Sequence, residues 1–527
     1  VTGDCVTAAV RTEGTSTVDG RLADAHALAT RAAFRTGVIL LLVAAVVRVA
    51  LLPTARFGGD EALFFRIGID IVDGRQWPLL GTQITDGAAR LPGPAFLYLL
   101  AVPLWLWRAP EAQYLFVELL GAITVVVHWQ ALRRPLGERV AFATALLVAC
   151  SPWSALYADR TWNPNVLPFF VTVGMLAAVR IREEPTSRWG IAFFPVLAVM
   201  PQLHMAAPVA WAGLVVVAGR AVGRMPRRHL LAGLALAALL YVPLAIHELQ
   251  TGFENLRHIA AETVGRQGGE RHPWGFVWVP VYAFRFLTLD VSYHELSGYW
   301  GGPDEARCWH VLWHGSPARP FHLLRALALV ASAMLAAAGV IVAVVDARRH
   351  RWVGILASAF VVALIANTLL MALTAKQVFG HYVTNLFPFV VVVWAAGLRR
   401  WFARAFLPAA ACVVALGVGG IEATWSVSRN VDAKIGLAVH RCVGAELVRV
   451  AVAEGTPPGP VRLEFRGMRS STYDWQVFLQ HALSSPLRLD PRAKALRFAL
   501  QPSSGSRPAD ATGDGVDCGA ARLWRLR

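Results

Sequence analysis

Long apolar runs fill most of this 527-residue chain, and short loops rich in Arg separate them. A run of about 20 apolar residues is the length that crosses a bilayer as a helix. Inside lipid every backbone N–H and C=O needs an internal partner, so helices are the default spanning element. The composition agrees, with 56% hydrophobic and 16% charged residues. Average soluble domains carry about 25% charged residues. The chain therefore reads as an all-α polytopic membrane protein. Its formal net charge of +16 would point a soluble protein toward nucleic acid. Here the basic residues sit in loops beside apolar runs, where they set topology and meet anionic membrane lipid. No nucleic-acid partner is expected.

Loop charge orients the spans. Residues 1–30 are polar and lack sustained periodicity, so they read as a disordered cytoplasmic tail closed by Arg31 and Arg35. The first span, Gly37 to near Leu52, is long for a signal peptide and reads as retained. Leu91–Trp107 is apolar but carries Pro92, Pro94 and Pro103. Counted as a span, it would reverse every later loop. Counted as a juxtamembrane helix, it leaves Arg133, Arg134, Arg180, Arg182, Arg220, Arg224, Arg348, Arg349, Arg399 and Arg400 on one side, as the positive-inside rule requires. The second assignment gives about eleven transmembrane helices within residues 31–425, with outer loops at 54–111 and 248–321. The N-terminus is then cytoplasmic and the C-terminus extracytoplasmic, in a plasma or inner membrane.

From residue 426 the character changes. Charge rises, Leu437–Val452 has helical periodicity, and Val461–Phe465 alternates like a strand. A small α/β domain is expected over 426–527. Cys442 and Cys518 flank it and are candidates for a disulfide, which an outer compartment permits.

The outer loops hold the reactive side chains. Phe57-Gly58-Gly59-Asp60-Glu61 follows the first span directly, and an amphipathic stretch comes after it. Adjacent carboxylates at a membrane boundary are costly to desolvate, so they cap a helix or do chemistry, or both. Arg66 lies one turn and a half further on. Asp159-Arg160 stands in the second outer loop, His204 follows a helix break, and Lys376 and His381-Tyr382 precede a late span. The loop 248–321 carries many aromatics, Trp300 among them, which suit an interfacial belt or stacking on a sugar. Cys308, His310 and His314 lack acid partners in register for zinc.

The order of these features resembles the GT-C class of membrane glycosyltransferases. It comprises a first span, Gly59-Asp60-Glu61-Ala62, Trp77-Pro78, the Pro-rich Leu91–Pro94, Ser151-Pro152 leading to Asp159-Arg160, then Gly380-His381-Tyr382 with Pro388. Within the class it is similar to the aminoarabinose-transferase and protein O-mannosyltransferase branch, over residues 37–400. One feature departs from that pattern: Asp159 precedes its Arg directly, and Asn163 and Asn165 stand downstream where an acid is usual. The resemblance implies a GT-C-like core with outer juxtamembrane helices. It also implies transfer of a sugar, with inversion, from a polyprenyl-phosphate donor on the outer face to a glycan, lipid or protein acceptor.

The residue types suit that reaction. Glycosyl transfer to a hydroxyl needs a base, and Asp60 is expected in that role, with Glu61 orienting it or binding the acceptor and Asp159 as a further acid. A lipid-phosphate leaving group needs positive charge or fixed donors, for which Arg66, Arg160, Lys376, His381 and Tyr382 are candidates. His204 and Trp300 are candidate substrate contacts. A divalent ion, if the reaction uses one, is expected at Asp60. The rival reading is a transporter or flippase of a lipid-linked or cell-envelope substrate. That reading requires ionisable groups at mid-membrane and paired halves, neither of which the sequence displays. A second rival is a non-catalytic binding protein working through its C-terminal domain.

Overall fold

A computed structural model describes residues 13–84, 87–158, 160–263, 272–288, 315–316, 319–320, 323–375, 378, 380–429, 436–453, 460–466, 471–494, 496–503 and 505–527. The first helix, α1 (Glu13–Val49), begins well before the apolar run. The segment from Glu13 to Thr30, expected to be disordered, is thus helical. Ala23, Ala25, Ala27 and Ala29 favour helix, and the segment runs without a break into the apolar span.

The short helix α2 (Gly59–Val72) follows. Next comes α3 (Ala95–Ala101), extended by a 3-10 turn over Val102–Trp105. The flanking prolines keep this element too short to span, and Trp105 and Leu106 are 65% and 93% exposed. That is the form of a juxtamembrane helix resting on lipid. The chain then enters α4 (Pro110–Leu136) and α5 (Glu138–Cys150). Ser151-Pro152 breaks the helical run, and α6 (Pro152–Ala158) leads from it toward Arg160.

Six helices are long and apolar enough to cross a membrane among the described residues, and a bent pair makes seven. The six include α7 (Leu167–Glu183). The helices α8 (Trp189–Leu203) and α9 (Val209–Ala218) fall short. The bent pair is α10 (Arg227–Leu239) and α11 (Val242–Thr251), which meet at 47°. Pro201, Pro208 and Pro243 lie at or near these helix ends, so the spans expected there are shorter or broken. The helices α12 (Glu254–Thr263) and α13 (Trp278–Leu287) come next. Two two-residue strands, β1 (Gly315–Ser316) and β2 (Arg319–Pro320), pair antiparallel. The core closes with α14 (Leu323–Asp346), α15 (Arg351–Thr374), α16 (Phe387–Arg404) and α17 (Phe406–Arg429). The α16 helix is buried on all sides from Phe387 to Leu398, which makes it the central post of the bundle.

The C-terminal domain starts with α18 (Leu437–Ala453). Five strands follow: β3 (Pro460–Phe465), β4 (Arg488–Leu489), β5 (Leu496–Pro502), β6 (Ala511–Asp517) and β7 (Ala521–Leu526). A short helix, α19 (Thr472–Val477), stands between β3 and β4. The sheet order is β4-β3-β5-β7-β6, parallel at β3–β5 and antiparallel at β5–β7. One face of the sheet packs Val461, Leu463, Phe498 and Leu500 against Val443 and Leu447 of α18. Cys442 and Cys518 are joined as a disulfide with Cα atoms 5.6 Å apart.

Candidate active site

The C-terminal domain sits on the start of α2, and this docking builds the site. Leu437 donates its N–H to the carbonyl of Ala55 at 3.0 Å, and Arg56 and Gly436 form a β-bridge. Arg441 grips Glu111 at the start of α4 with two N–H···O bonds of 2.6 and 2.7 Å. Phe57, Phe65 and Phe478 pack into one apolar cluster, and the His440 ring stands edge-on to Phe57 at 5.2 Å. Burial of these rings fixes the peptide that enters α2.

Gly58 is the N-cap of α2, so Asp60 and Glu61 occupy the first turn, where anions are favoured. Their fates differ. Glu61 is 1% exposed. Its Oε2 accepts the N–H of Gly58 at 3.1 Å. Its Oε1 accepts from Nε of Arg160 at 2.7 Å and also from Nη2. Arg160 in turn lies over the Trp162 ring, 5.0 Å from the centroid. Glu61 therefore closes the helix start and anchors the second outer loop. A side chain at position 58 would meet Arg56 Nε at 3.0 Å and Glu61 Oε2 at 3.2 Å, so glycine leaves room for that arrangement.

Asp60 is half-buried and has no hydrogen-bond partner among the described residues. It opens into a cavity of about 470 Å³. Burial raises its pKa above the ordinary carboxylate value, and the neighbouring Glu61 adds to the effect against the pull of Arg160 and Arg56. Trp162, His204, His381 and Tyr382 line the same cavity. Their rings touch: Trp162–His381 at 4.5 Å, His381–Tyr382 at 4.4 Å and His204–Tyr382 at 5.3 Å between centroids. His204 Nδ1 accepts the N–H of Ala206 at 3.2 Å, which assigns its proton to Nε2. Leu370, Met371 and Thr374 of the spanning helix α15 complete the wall, so the cavity reaches a membrane helix.

The structure brings Asp60, His204, His381 and Tyr382 to one cavity, with Glu61 and Arg160 behind it. Arg66, considered above for phosphate, is not among the cavity's lining residues. It lies 5.8 Å from the ring centroid of Tyr473 in the C-terminal domain, because position 66 faces away from position 60 on α2. Asp159, Lys376, Trp300, Cys308, His310 and His314 lie outside the described residues. Among the described residues no group of three or more His, Cys, Asp or Glu is placed to hold a metal ion.

Two charged residues near Asp60 were not singled out from sequence. Arg56 precedes the Gly-Gly pair, and its position beside the motif could have marked it. Asp474 comes from α19 of the C-terminal domain and is 3% exposed. Its Oδ2 accepts the N–H of Ser471 at 3.2 Å, while Oδ1 has no hydrogen-bond partner among the described residues and sits 3.8 Å from where a Gly59 side chain would begin. Burial raises its pKa as well. The Ser471-x-x-Asp474 pattern announces a helix start, but nothing local points Asp474 at α2.

No family model matches the chain, and no curated protein matches it in sequence. Solved structures do. ArnT from Cupriavidus metallidurans in the apo state superposes with a TM-score of 0.53 at 14% identity, over 93% of this chain and 97% of ArnT. The same protein bound to undecaprenyl phosphate gives 0.51 at 14% identity over the same shares. The likeness is one of fold. The shared architecture is a polytopic helical core with a small C-terminal β-sheet domain.

Proposed function

We propose that this chain is an integral membrane glycosyltransferase. It moves a sugar from a polyprenyl-phosphate donor to a glycan, lipid or protein acceptor on the outer face of the membrane. The observation that carries this reading is the contrast between the two neighbouring carboxylates. Glu61 is spent on Arg160 and Gly58, whereas Asp60 faces a cavity with its proton affinity raised. A partly desolvated carboxylate is a better base than one in water.

The acceptor hydroxyl oxygen attacks the anomeric carbon while Asp60 takes its proton. The bond from that carbon to the phosphate oxygen breaks, and the polyprenyl phosphate leaves with the electron pair. One displacement inverts the anomeric centre. Fixed donors favour the leaving charge. His204 Nε2–H, the Tyr382 hydroxyl and His381 are the described candidates, with Lys376 as a further one. Arg160 acts through Glu61 rather than directly, and Arg66 is not assigned a phosphate. Asp159 and Trp300 remain proposed contacts from sequence. The contact of the cavity with α15 suits a donor whose tail stays in lipid, and a fold shared with an undecaprenyl-phosphate-bound protein supports the same carrier class. A divalent ion, if the reaction uses one, would be held by Asp60 and would supply positive charge toward the leaving phosphate, and no step is assigned to it.

The test is transfer by purified protein in detergent, with a panel of polyprenyl-phosphate sugars and a membrane extract as acceptor source. Wild type transfers sugar and a folded Asp60→Asn variant does not. Equal transfer by both would remove Asp60 from the chemistry. No transfer with any donor, together with donor flux across vesicles, would favour the flippase reading.

A further inference from the structure

One carboxylate that lines the Asp60 cavity has no part in the transfer step. Glu262 stands on α12 and is half-buried. Ile259, three residues earlier on the same face of that helix, lines the cavity with it. No Lys or Arg lines the cavity among the described residues. Asp60 and Glu262 therefore give it two carboxylates and no described basic side chain of that kind.

Backbone groups, not a cation, hold Glu262 in place. Its Oε1 accepts the N–H of Ala89 at 2.9 Å, and Oε2 has no hydrogen-bond or ion-pair partner among the described residues. A side chain at position 87 would collide with both oxygens, so glycine there leaves the carboxylate its room. Asn255, at the other end of α12, accepts the Arg90 N–H at 2.8 Å and donates to the Arg90 carbonyl at 3.1 Å. Both ends of the helix are thus tied to Ala89 and Arg90. The other carboxylate of α12, Glu254, is 59% exposed, lies 3.7 Å from His258 Nε2 and does not line the cavity.

A carboxylate with one oxygen engaged still has lone pairs for hydroxyl donors, and hydrogen bonds to an ionised acceptor are the strong ones. Ring hydroxyls of a sugar are such donors. A sugar that carries its own carboxylate would instead meet like charge in a partly desolvated space. Ile259 stands in the same cavity wall as Leu370 and Met371 of α15, so a ligand whose lipid tail follows α15 passes beside α12. We propose that Glu262 is a specificity-determining residue, which accepts hydrogen bonds from hydroxyls of the donor sugar and rejects donors whose sugar bears a carboxylate. This inference rests on the sugar-transfer reading for the class of donor.

The experiment is native mass spectrometry of the full chain in detergent, titrated with polyprenyl phosphate and with two matched donor pairs. These are polyprenyl-phosphate glucose and glucuronate, and polyprenyl-phosphate galactose and galacturonate. Wild type binds the better neutral donor roughly tenfold or more tighter than its acidic partner, the size expected for a charged hydrogen bond. Glu262→Gln loses most of that preference, binding the neutral donor less and the acidic one more, while bare polyprenyl phosphate binds as before. Gly87→Ala displaces the carboxylate but keeps its charge, so it weakens the neutral donor and still rejects the acidic one. Glu254→Gln changes nothing. A wild-type preference retained in Glu262→Gln would overturn the proposal. So would an equal loss for all five ligands, which is what a merely structural role gives. A preference that depends on Glu262 without any sugar transfer would instead defeat the transfer reading, and wild type that binds none of the ligands would defeat both.

Discussion

Asp60 and Glu61 are neighbours in sequence, yet a single residue's rotation about the helix axis sends them to different surroundings. Successive side chains on a helix do not share a face. The two therefore make opposite predictions for stability. Asp60 is an unpartnered, half-buried carboxylate whose folded pKa lies above its unfolded value. A raised folded pKa means that the native state binds more protons, so this group lowers stability as pH rises through that interval. The cost is absent below the ordinary carboxylate range and full above the raised value. Each tenfold change in proton affinity is about 1.4 kcal/mol. Asp60→Asn is expected to melt above wild type at pH 7, with the gap closing as pH falls toward 4, while losing roughly 100-fold or more in transfer. In wild type the acid side of the rate profile then falls at a pH above that of a free aspartate. Glu61→Gln goes the other way. It strands the buried Arg160 and is expected to cost about 3–5 kcal/mol, so melting temperature and activity fall together. Thermal unfolding and initial rates of the two variants over pH 4–8 decide both points.

The elements around the site are legible in sequence to different degrees. The first span, the Gly-Gly turn and α2 are contiguous, so their chemistry can be read locally. The same holds for the prolines that reduce Leu91–Trp107 to a short outer helix. The aromatic pocket was legible only as separate candidates, because His204 and His381 come from breaks between different helices. Asp474 was not legible at all, since its place beside Gly59 depends on docking between two domains. That docking leans on Arg441 and Glu111, a forked pair that is only partly exposed at the Arg end. Arg441→Glu is expected to reduce transfer while lowering stability by on the order of 1 kcal/mol, as partly exposed pairs do. Adding Glu111→Arg should restore much of the rate, and rates of the single and double variants measure the coupling. If the double variant is no better than the single ones, the pair does not set the docking.

At the scale of the whole molecule, a helical core carries the cavity and the C-terminal domain, proposed to lie outside the membrane, holds the cavity's leading helix in place. The outer domain has a modest core of its own, with a single sheet and α18 sharing one apolar layer. A disulfide adds to the stability of a small domain in a compartment that permits one. The Cys442–Cys518 bond ties α18 to the turn before the last strand across a sequence separation of 76. In the chain-entropy account a loop of that length contributes roughly 4 kcal/mol by restricting the unfolded chain. The two remaining described cysteines, Cys150 and Cys412, are in the membrane core and are not disulfide-bonded. Mild reductant should therefore act on the outer domain first. Its amide hydrogens, on α18 and β3–β7, should exchange faster while those of α4 and α16 stay protected. Because α18 and α19 hold the entry to α2, transfer should fall in step with that local loosening and before the core unfolds. Cys442→Ser/Cys518→Ser should reproduce both effects without reductant. Activity that survives when the outer domain exchanges freely would show that the membrane core alone sets the site, and that Asp474 and its domain only cover it.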